Sequence, residues 1–178
     1  PFFILLAVAG NDTTRTAISH GMHLLSQNPD QRRIWQDDLD GVTATAVDEI
    51  VRMASPVTFM RRTVTRDLTL SGHDFHTDDK LILFYGAANR DPAVFTDPDR
   101  FDVRRDPNPH VGFGGPGPHF CLGAHLARRE LSVAFRQLLT RLPDIELASD
   151  PVYLDALGVP LVGGIKRLPV TFTPSPRA

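Results

Sequence analysis

The chain has 178 residues, of which 42% are hydrophobic and 22% charged, a composition that fits one globular domain with a hydrophobic core and excludes a disordered protein. Its 19 basic and 21 acidic residues nearly balance, which excludes the basic excess typical of proteins that bind nucleic acid or an anionic membrane surface. The single cysteine, Cys121, excludes an internal disulfide framework and suits a reducing, cytoplasmic location.

The first predicted element is a helix over residues 2–27, which the turn signal Asn28-Pro29 ends. Its opening residues 2–9 are apolar all round, a pattern that predicts a helix buried on every side. We therefore expect part of the packing partner of this helix to lie before Pro1. The apolar stretch is too short to cross a bilayer and follows no basic leader, so we expect no membrane anchor.

Two shorter helices are expected next, over residues 30–38 and 43–54. The second helix has apolar residues at the i, i+3, i+4, i+7 spacing of a buried face, and Ser55-Pro56 stops it. Thr43 or Thr45 is the candidate cap at its start, because a threonine hydroxyl can accept a hydrogen bond from a free amide of the first turn.

The centre of the chain contains short runs of β-branched and aromatic residues, which predict a small antiparallel sheet. The predicted strands cover residues 57–65, 68–70 and 81–84. After a short helix near residues 86–90, the stretch 91–118 holds ten prolines and glycines and is therefore predicted to be irregular. A loop of this length in a compact domain usually has a function.

A last long helix is predicted over residues 122–142, followed by weak strands near residues 145–147 and 170–173. No internal repeat is present in the sequence. The predicted fold class is therefore mainly α with a small antiparallel β-sheet, in one domain that covers residues 1–178.

The most informative segment is the glycine-rich sequence FGGPGPHFCLG at residues 113–123. Its glycines let the backbone approach a flat, bulky group. Cys121 comes just before a predicted helix, where amide N–H groups favour an anion and therefore the thiolate. The alternative for a shorter match of this kind is a glycine-rich turn followed by a cysteine buried in the core.

A second informative segment, AGNDTTR at residues 9–15, lies inside the long apolar helix. Asn, Asp and Thr compete for helical hydrogen bonds and prefer caps, so a new helix start explains the segment equally well in isolation. A glycine followed by an acid and an alcohol in a buried helix can also open a groove that fits dioxygen and water, and can supply a proton relay.

Two further segments are weaker evidence of a function when each is taken alone. Glu49 and Arg52 are neighbours at i, i+3 on a predicted helix, but such pairs occur by chance and contribute only tenths of a kcal/mol when exposed. Arg61 and Arg62 lie in a predicted strand, where arginines are usually solvated, although a planar guanidinium also suits a carboxylate.

In their order along the chain, these segments resemble those of the cytochrome P-450 family of heme-thiolate monooxygenases. The pattern is most similar to actinobacterial members that oxidise lipids, steroids or terpenoids. The spacing from Phe113 to Cys121 is one residue longer than in the commonest form of the family. The members that oxidise lipids, steroids or terpenoids include ones with this longer form. The resemblance implies that residues 1–178 are the heme-binding, carboxy-terminal part of a single cytochrome P-450 domain, with the amino-terminal part of the fold absent.

The resemblance also implies a role for individual residues around heme b (iron protoporphyrin IX). Cys121 is the implied axial ligand of the heme iron, and Thr13 and Asp12 are the implied catalytic residues. Further implied cofactor contacts are His119 and Arg62 at the heme propionates, with Phe113, Gly115, Gly117, Gly123, Ala9 and Gly10. The implied structural ion-pair network consists of Glu49, Arg52 and Arg100. Candidates for the substrate side, each also explained as plain core, are Leu5, Val8, Thr58, Phe59 and Ile165.

The implied reaction inserts one oxygen atom of dioxygen into a small apolar organic substrate. Electrons come from NAD(P)H through a ferredoxin-type donor and its reductase. Candidates for a basic patch that meets this donor, unless they form an ordinary solvated face, are Arg104, Arg105, Arg128 and Arg129. Two alternatives stay open: a heme-thiolate sensor or peroxide-using relative, which the presence of Asp12 and Thr13 disfavours, and a folded fragment with no activity of its own.

Overall fold

The computed structural model describes residues 2–154 and 161–174, without the side chain of Leu5. Within these ranges the chain forms five helices and eight short strands. The helices are α1 (Phe2–Gln27), α2 (Pro29–Asp37), α3 (Leu39–Ala54), α4 (Tyr85–Ala88) and α5 (Ala124–Arg141). None of these helices is long and apolar enough to cross a membrane.

The strands pair two by two into four small antiparallel sheets within the described ranges. The pairs are β1 (Phe59–Thr63) with β4 (Lys80–Phe84), β2 (Leu68–Leu70) with β3 (His73–Phe75), β5 (Glu146–Leu147) with β8 (Val170–Thr171), and β6 (Val152–Tyr153) with β7 (Ile165–Arg167). The prediction of a mainly α fold with a little antiparallel sheet is confirmed. Strands β3, β6 and β7 were not predicted.

Helix α1 has the predicted bounds, but the prediction that its start is buried on every side is wrong for this chain. Phe3 is 82% exposed and Val8 is 66% exposed. The later turns of the helix carry the packing instead, because Ala17, Met22 and Leu25 are buried in the core that α1 shares with α2, α3 and α5.

Helix α3 begins at Leu39, four residues before the predicted start. Asp38 caps it, because its carboxylate accepts a hydrogen bond from the Gly41 N–H at 2.8 Å. The proposed caps Thr43 and Thr45 are therefore wrong, and both lie inside the helix. Thr43 instead accepts a hydrogen bond from the indole N–H of Trp35, at 3.0 Å, and the Thr45 hydroxyl donates to the carbonyl of Val103, at 2.6 Å.

The core brings α2 and α5 together through two fully buried rings. Trp35 and Phe135 lie 5.1 Å apart between centroids, at an interplanar angle of 34°. Phe101 and Val103, from the long irregular segment before α5, are buried in the same cluster. The irregular segment is therefore fixed to the core, so it can hold a functional side chain in a defined place.

Helices α1, α3 and α5 meet closely at Gly21. A Cβ on this residue would lie 2.4 Å from Cζ of Phe135 and 2.8 Å from Cδ1 of Ile50, two buried side chains. At Gly10 of the same helix, nothing lies within 4 Å of such a Cβ. We expect Gly21→Ala to lower the free energy of unfolding relative to Gly10→Ala by about 1–3 kcal/mol, the usual cost of overpacking a core.

Denaturant unfolding of both variants measures this difference, since the gain in helix propensity from glycine to alanine is common to them. Equal free energies of unfolding in the two variants would show that α1, α3 and α5 can move apart at Gly21 without a loss of stability.

Candidate functional site

Cys121 is an exposed, free thiol that lies three residues before the first residue of α5. Its N–H donates to the carbonyl of Phe113 at 2.9 Å, and its own carbonyl accepts from the N–H of Ala124 at 3.2 Å. The backbone of Cys121 is thus held on both sides, between the glycine-rich loop and the first turn of α5. The alternative of a cysteine buried in the core is wrong.

The glycine-rich loop presents open backbone beside this thiol. Gly114 and Gly117 have φ angles of +86° and +128°, in the region that strains other residues. No other part of the described chain lies within 4 Å of a Cβ built on Gly115 or Gly117. Leu122, next to the thiol, is 76% exposed. An open, partly apolar surface around a single thiol fits a flat apolar cofactor that is held by a thiolate.

The two predicted propionate partners are both exposed. Arg62 lies on β1, and its Nη1 donates to the carbonyl of Arg61 at 3.0 Å. His119 lies in the glycine-rich loop, two residues before Cys121. Within the described ranges neither side chain forms an ion pair with an acidic residue. Both therefore remain accessible to a carboxylate from outside the chain.

The AGNDTTR segment lies within α1, which continues unbroken through it, so the alternative of a new helix start is wrong. The Thr13 hydroxyl donates to the carbonyl of Ala9 at 2.7 Å. Nearby, Gly10 leaves the helix surface open. Asp12 pairs with Arg15 at 3.3 Å, and the two side chains are 61% and 74% exposed. The segment therefore places the half-buried hydroxyl of Thr13 next in sequence to the solvated carboxylate of Asp12.

Glu49 and Arg52 form a fully buried ion pair in which the carboxylate accepts from Nε at 2.7 Å and from Nη2 at 2.9 Å. The second guanidinium at Glu49 belongs to Arg105, whose Nε lies 3.1 Å from Oε2. Asn108 donates to the same carboxylate at 3.2 Å. The assignment of Arg100 as the second arginine is therefore wrong.

Arg100 takes part through its backbone instead. Its carbonyl accepts from Nη2 of Arg52 at 3.1 Å and from Nη2 of Arg105 at 2.9 Å. Arg52 also donates to the carbonyls of Asn89 and Pro98, both at 2.7 Å. The buried pair thus anchors the irregular segment to α3. No signal in the sequence distinguishes the side chain of Arg105 from that of Arg100, since both lie in the same irregular segment.

The ring of Phe113 is held by two cationic or ionisable side chains. The guanidinium of Arg128 lies over the ring, 4.5 Å from its centroid, and the ring of His110 lies 5.7 Å away. Both contact Asp48 of α3: Nε of Arg128 at 2.7 Å and Nε2 of His110 at 3.6 Å. Asp48 and His110 were not predicted from the sequence, because this contact joins three distant parts of the chain.

The partners of Asp48 favour the ionised form of its carboxyl group. Burial alone would raise the pKa of Asp48, but hydrogen bonds from His110 and Arg128, together with their charges, bring that pKa below its ordinary value. Arg128 and Arg105 are thus both engaged in ion pairs, which corrects their assignment to an open basic patch. Arg104 and Arg129 remain exposed.

The candidates for the substrate side do not all come together. Thr58 lies against the segment 161–163, because its N–H donates to the carbonyl of Leu161 at 2.9 Å and a Cβ on Gly163 would lie 3.1 Å from its methyl group. Phe59 contacts another ring, Phe84, at 6.2 Å. Ile165 pairs with a strand residue, Val8 is exposed, and the side chain of Leu5 lies outside the described residues.

Comparison with known proteins gives a consistent result. A family profile described as Cytochrome P-450 matches residues 3–143. The chain is 54% identical over 172 residues to a methyl-branched lipid omega-hydroxylase of Mycobacterium tuberculosis, and 47% identical over 150 residues to a steroid C26-monooxygenase of Rhodococcus jostii. The alignments cover 97% and 84% of this chain but only 40% and 31% of the relatives. The chain thus spans about two fifths of the length of such relatives.

Solved structures show the same similarity. A Mycobacterium marinum cytochrome P-450 in complex with pseudoionone has a TM-score of 0.91 and 49% identity, over 96% of this chain and 40% of that one. A Bacillus megaterium cytochrome P-450 in complex with testosterone has a TM-score of 0.88 and 32% identity, over 95% of this chain and 46% of that one.

Proposed function

Because the chain belongs to the cytochrome P-450 family, we propose that residues 1–178 are the heme-binding, carboxy-terminal part of a single domain of a heme-thiolate monooxygenase. One observation carries this proposal: an exposed, free thiol, that of Cys121, is fixed at the end of a glycine-rich loop with open backbone beside it. The proposed cofactor is heme b, and the proposed axial ligand of its iron is Cys121.

When bound, such a cofactor supplies the activation of dioxygen, because a thiolate ligand donates electron density that favours O–O cleavage. The chain contributes the binding groups. The carbonyl of Phe113 holds the N–H of Cys121 and so orients its sulfur. Arg62 and His119 would bind the propionates, for which a guanidinium is well suited. The proposed close approaches to the ring are at Gly115, Gly117, Gly123, Ala9 and Gly10.

Proton delivery is proposed for Thr13 and Asp12. The hydroxyl of Thr13 donates to the carbonyl of Ala9, which leaves the lone pairs of its oxygen free to accept a hydrogen bond from water. The carboxylate of Asp12 is exposed, so bulk water can protonate it. For Asp12 to pass a proton inward, its contact with Arg15 must open. The relay would then run from solvent through Asp12 and water to the hydroxyl of Thr13.

The substrate class is proposed from the relatives. The curated relatives are named for a methyl-branched lipid and for a steroid, so we propose a small apolar substrate of the lipid, steroid or terpenoid class. The proposed lining residues are Leu5, Val8, Thr58, Phe59 and Ile165. We further propose electron supply from NAD(P)H through a ferredoxin and its reductase, with Arg104 and Arg129 at the donor surface, and a cytoplasmic location.

The test of this function is the coupling of oxygen consumption to product formation. With the whole protein, its electron donor and a methyl-branched lipid or steroid, we expect Thr13→Ala to consume oxygen but to form about 10²–10⁴ times less product, the usual contribution of a positioned proton donor. Thr13→Ser should restore coupling, because it keeps the hydroxyl. Oxygen uptake, product and released hydrogen peroxide are measured together.

Thr14→Ala is the matched control, since it removes the neighbouring hydroxyl of the same helix. Equal loss of coupling in both variants would show that Thr13 has no specific part in the proton relay. Turnover with hydrogen peroxide but not with dioxygen would instead favour a peroxide-using relative, and heme binding without turnover of either kind would favour a sensor.

A further inference from the structure

Phe113, whose carbonyl is hydrogen-bonded to Cys121, has its aromatic ring against a charged side chain. Phe113 holds Cys121 through its carbonyl, and its ring lies under the guanidinium of Arg128. Arg128 is part of α5, the helix that begins just after Cys121. The cation is therefore attached to the cysteine loop twice, once through the ring of Phe113 and once through the backbone of α5.

A single carboxylate fixes this cation. Nε of Arg128 donates to Oδ1 of Asp48 at 2.7 Å, and the two side chains are 34% and 30% exposed. Such partial burial reduces solvent screening and makes the interaction stronger than that of a fully exposed pair. Asp48 directly precedes Glu49, so the same turn of α3 holds both the buried pair and this one.

We propose that the ion pair of Asp48 and Arg128, in which the guanidinium lies over the ring of Phe113, sets the reduction potential of a heme bound at Cys121. The inference rests on the proposed function, since it requires heme at that cysteine. Asp48 and Arg128 are positioning residues that act on the iron through the ring of Phe113 and the local electric field, and His110 lies 3.6 Å from the same carboxylate oxygen as Arg128.

The sign of the effect follows from electrostatics. Reduction adds an electron to the iron, so a nearby positive charge favours the reduced state and a nearby negative charge disfavours it. Asp48→Asn leaves Arg128 uncompensated and should raise the reduction potential. Arg128→Gln leaves Asp48 uncompensated and should lower the potential. The double variant should return towards the original value, because both charges are gone.

The experiment is a spectroelectrochemical titration of the whole, heme-loaded protein and its variants. We expect shifts of opposite sign in Asp48→Asn and Arg128→Gln, each about two- to tenfold in the equilibrium constant for reduction, where tenfold is about 59 mV for one electron. Arg128→Lys keeps the charge and should stay near the original potential. The matched controls are Asp40→Asn and Arg136→Gln, a pair at 2.5 Å that joins the same two helices at an exposed place; they should not shift the potential.

Shifts of the same sign in both single variants would indicate mere loosening of the loop and would overturn the inference, as would shifts no larger than those of the controls. The spectrum of the reduced, carbon-monoxide-bound protein separates this failure from a failure of the proposed function. A missing thiolate-type band in the unaltered protein overturns the proposed function, and the inference with it. A normal band with unmoved potentials overturns the inference alone.

Discussion

Replacing Cys121 by alanine is expected to abolish the thiolate-type Soret band of the reduced, carbon-monoxide-bound protein. The position of this band reports whether sulfur binds the iron opposite the gas, and Cys121 is the only cysteine of the chain. Because the thiol is exposed, its removal should change the free energy of unfolding of the heme-free protein by no more than about 0.5 kcal/mol. Loss of the thiolate-type band with an unchanged free energy of unfolding would identify Cys121 as the ligand of the heme iron.

The same measurement distinguishes the remaining alternatives. A thiolate-type band that persists in Cys121→Ala would place the ligand elsewhere. The alternative of a folded fragment with no activity of its own is tested by heme titration. Heme is titrated into the 178-residue chain and into a protein of the full length of its relatives. Uptake by the longer protein alone would show that this chain folds without holding the cofactor by itself.

Glu49→Gln is expected to lower the free energy of unfolding by about 3–5 kcal/mol, the cost of breaking a buried ion pair from one side. The glutamine keeps the volume of the side chain but removes the charge that faces Arg52 and Arg105. Arg52 is fully buried and Arg105 is 11% exposed. Water therefore cannot take the place of the lost carboxylate beside either guanidinium unless the structure rearranges. Denaturant unfolding with constant m-value measures the loss.

Asp40→Asn is the control for this stability measurement, because Asp40 lies on the same helix as Glu49 and forms an exposed ion pair with Arg136 of α5. Surface pairs contribute at most about 1 kcal/mol. If Glu49→Gln costs no more than this control, the buried network does not support the fold, and the irregular segment must be held mainly by Phe101 and Val103.

The helices and the cysteine loop could be predicted because their signals are local. The bounds of α1 follow from an apolar run and the Asn28-Pro29 stop, and α5 follows from periodic apolar residues such as Leu131 and Phe135. The placement of Cys121 before a helix, after a glycine-rich loop, also lies within one short segment. Patterns of this kind depend on neighbours in sequence, so sequence alone contains them.

The pair of Glu49 and Arg52 was predicted, but the ion pairs with Arg105 and Arg128 could not be, since their partners are distant in sequence. Arg105 reaches Glu49 from 56 residues away, and Arg128 reaches Asp48 from 80 residues away. The choice between Arg100 and Arg105 depends on how the loop folds over α3. The exposure of Phe3 and Val8 likewise depends on which elements pack against α1, and not on their hydrophobicity. The cap at Asp38 was missed because the apolar pattern of α3 begins after its first turn.

The way in which Arg52 holds the long segment has a consequence for how this segment can evolve. Its acceptors at positions 89, 98 and 100 are main-chain oxygens, which every amino acid carries. Exchange of the side chains at positions 98 and 100 therefore leaves the attachment intact, while insertion or deletion of a residue would move the oxygens out of reach. Related chains should thus diverge in the composition of this stretch and retain its length.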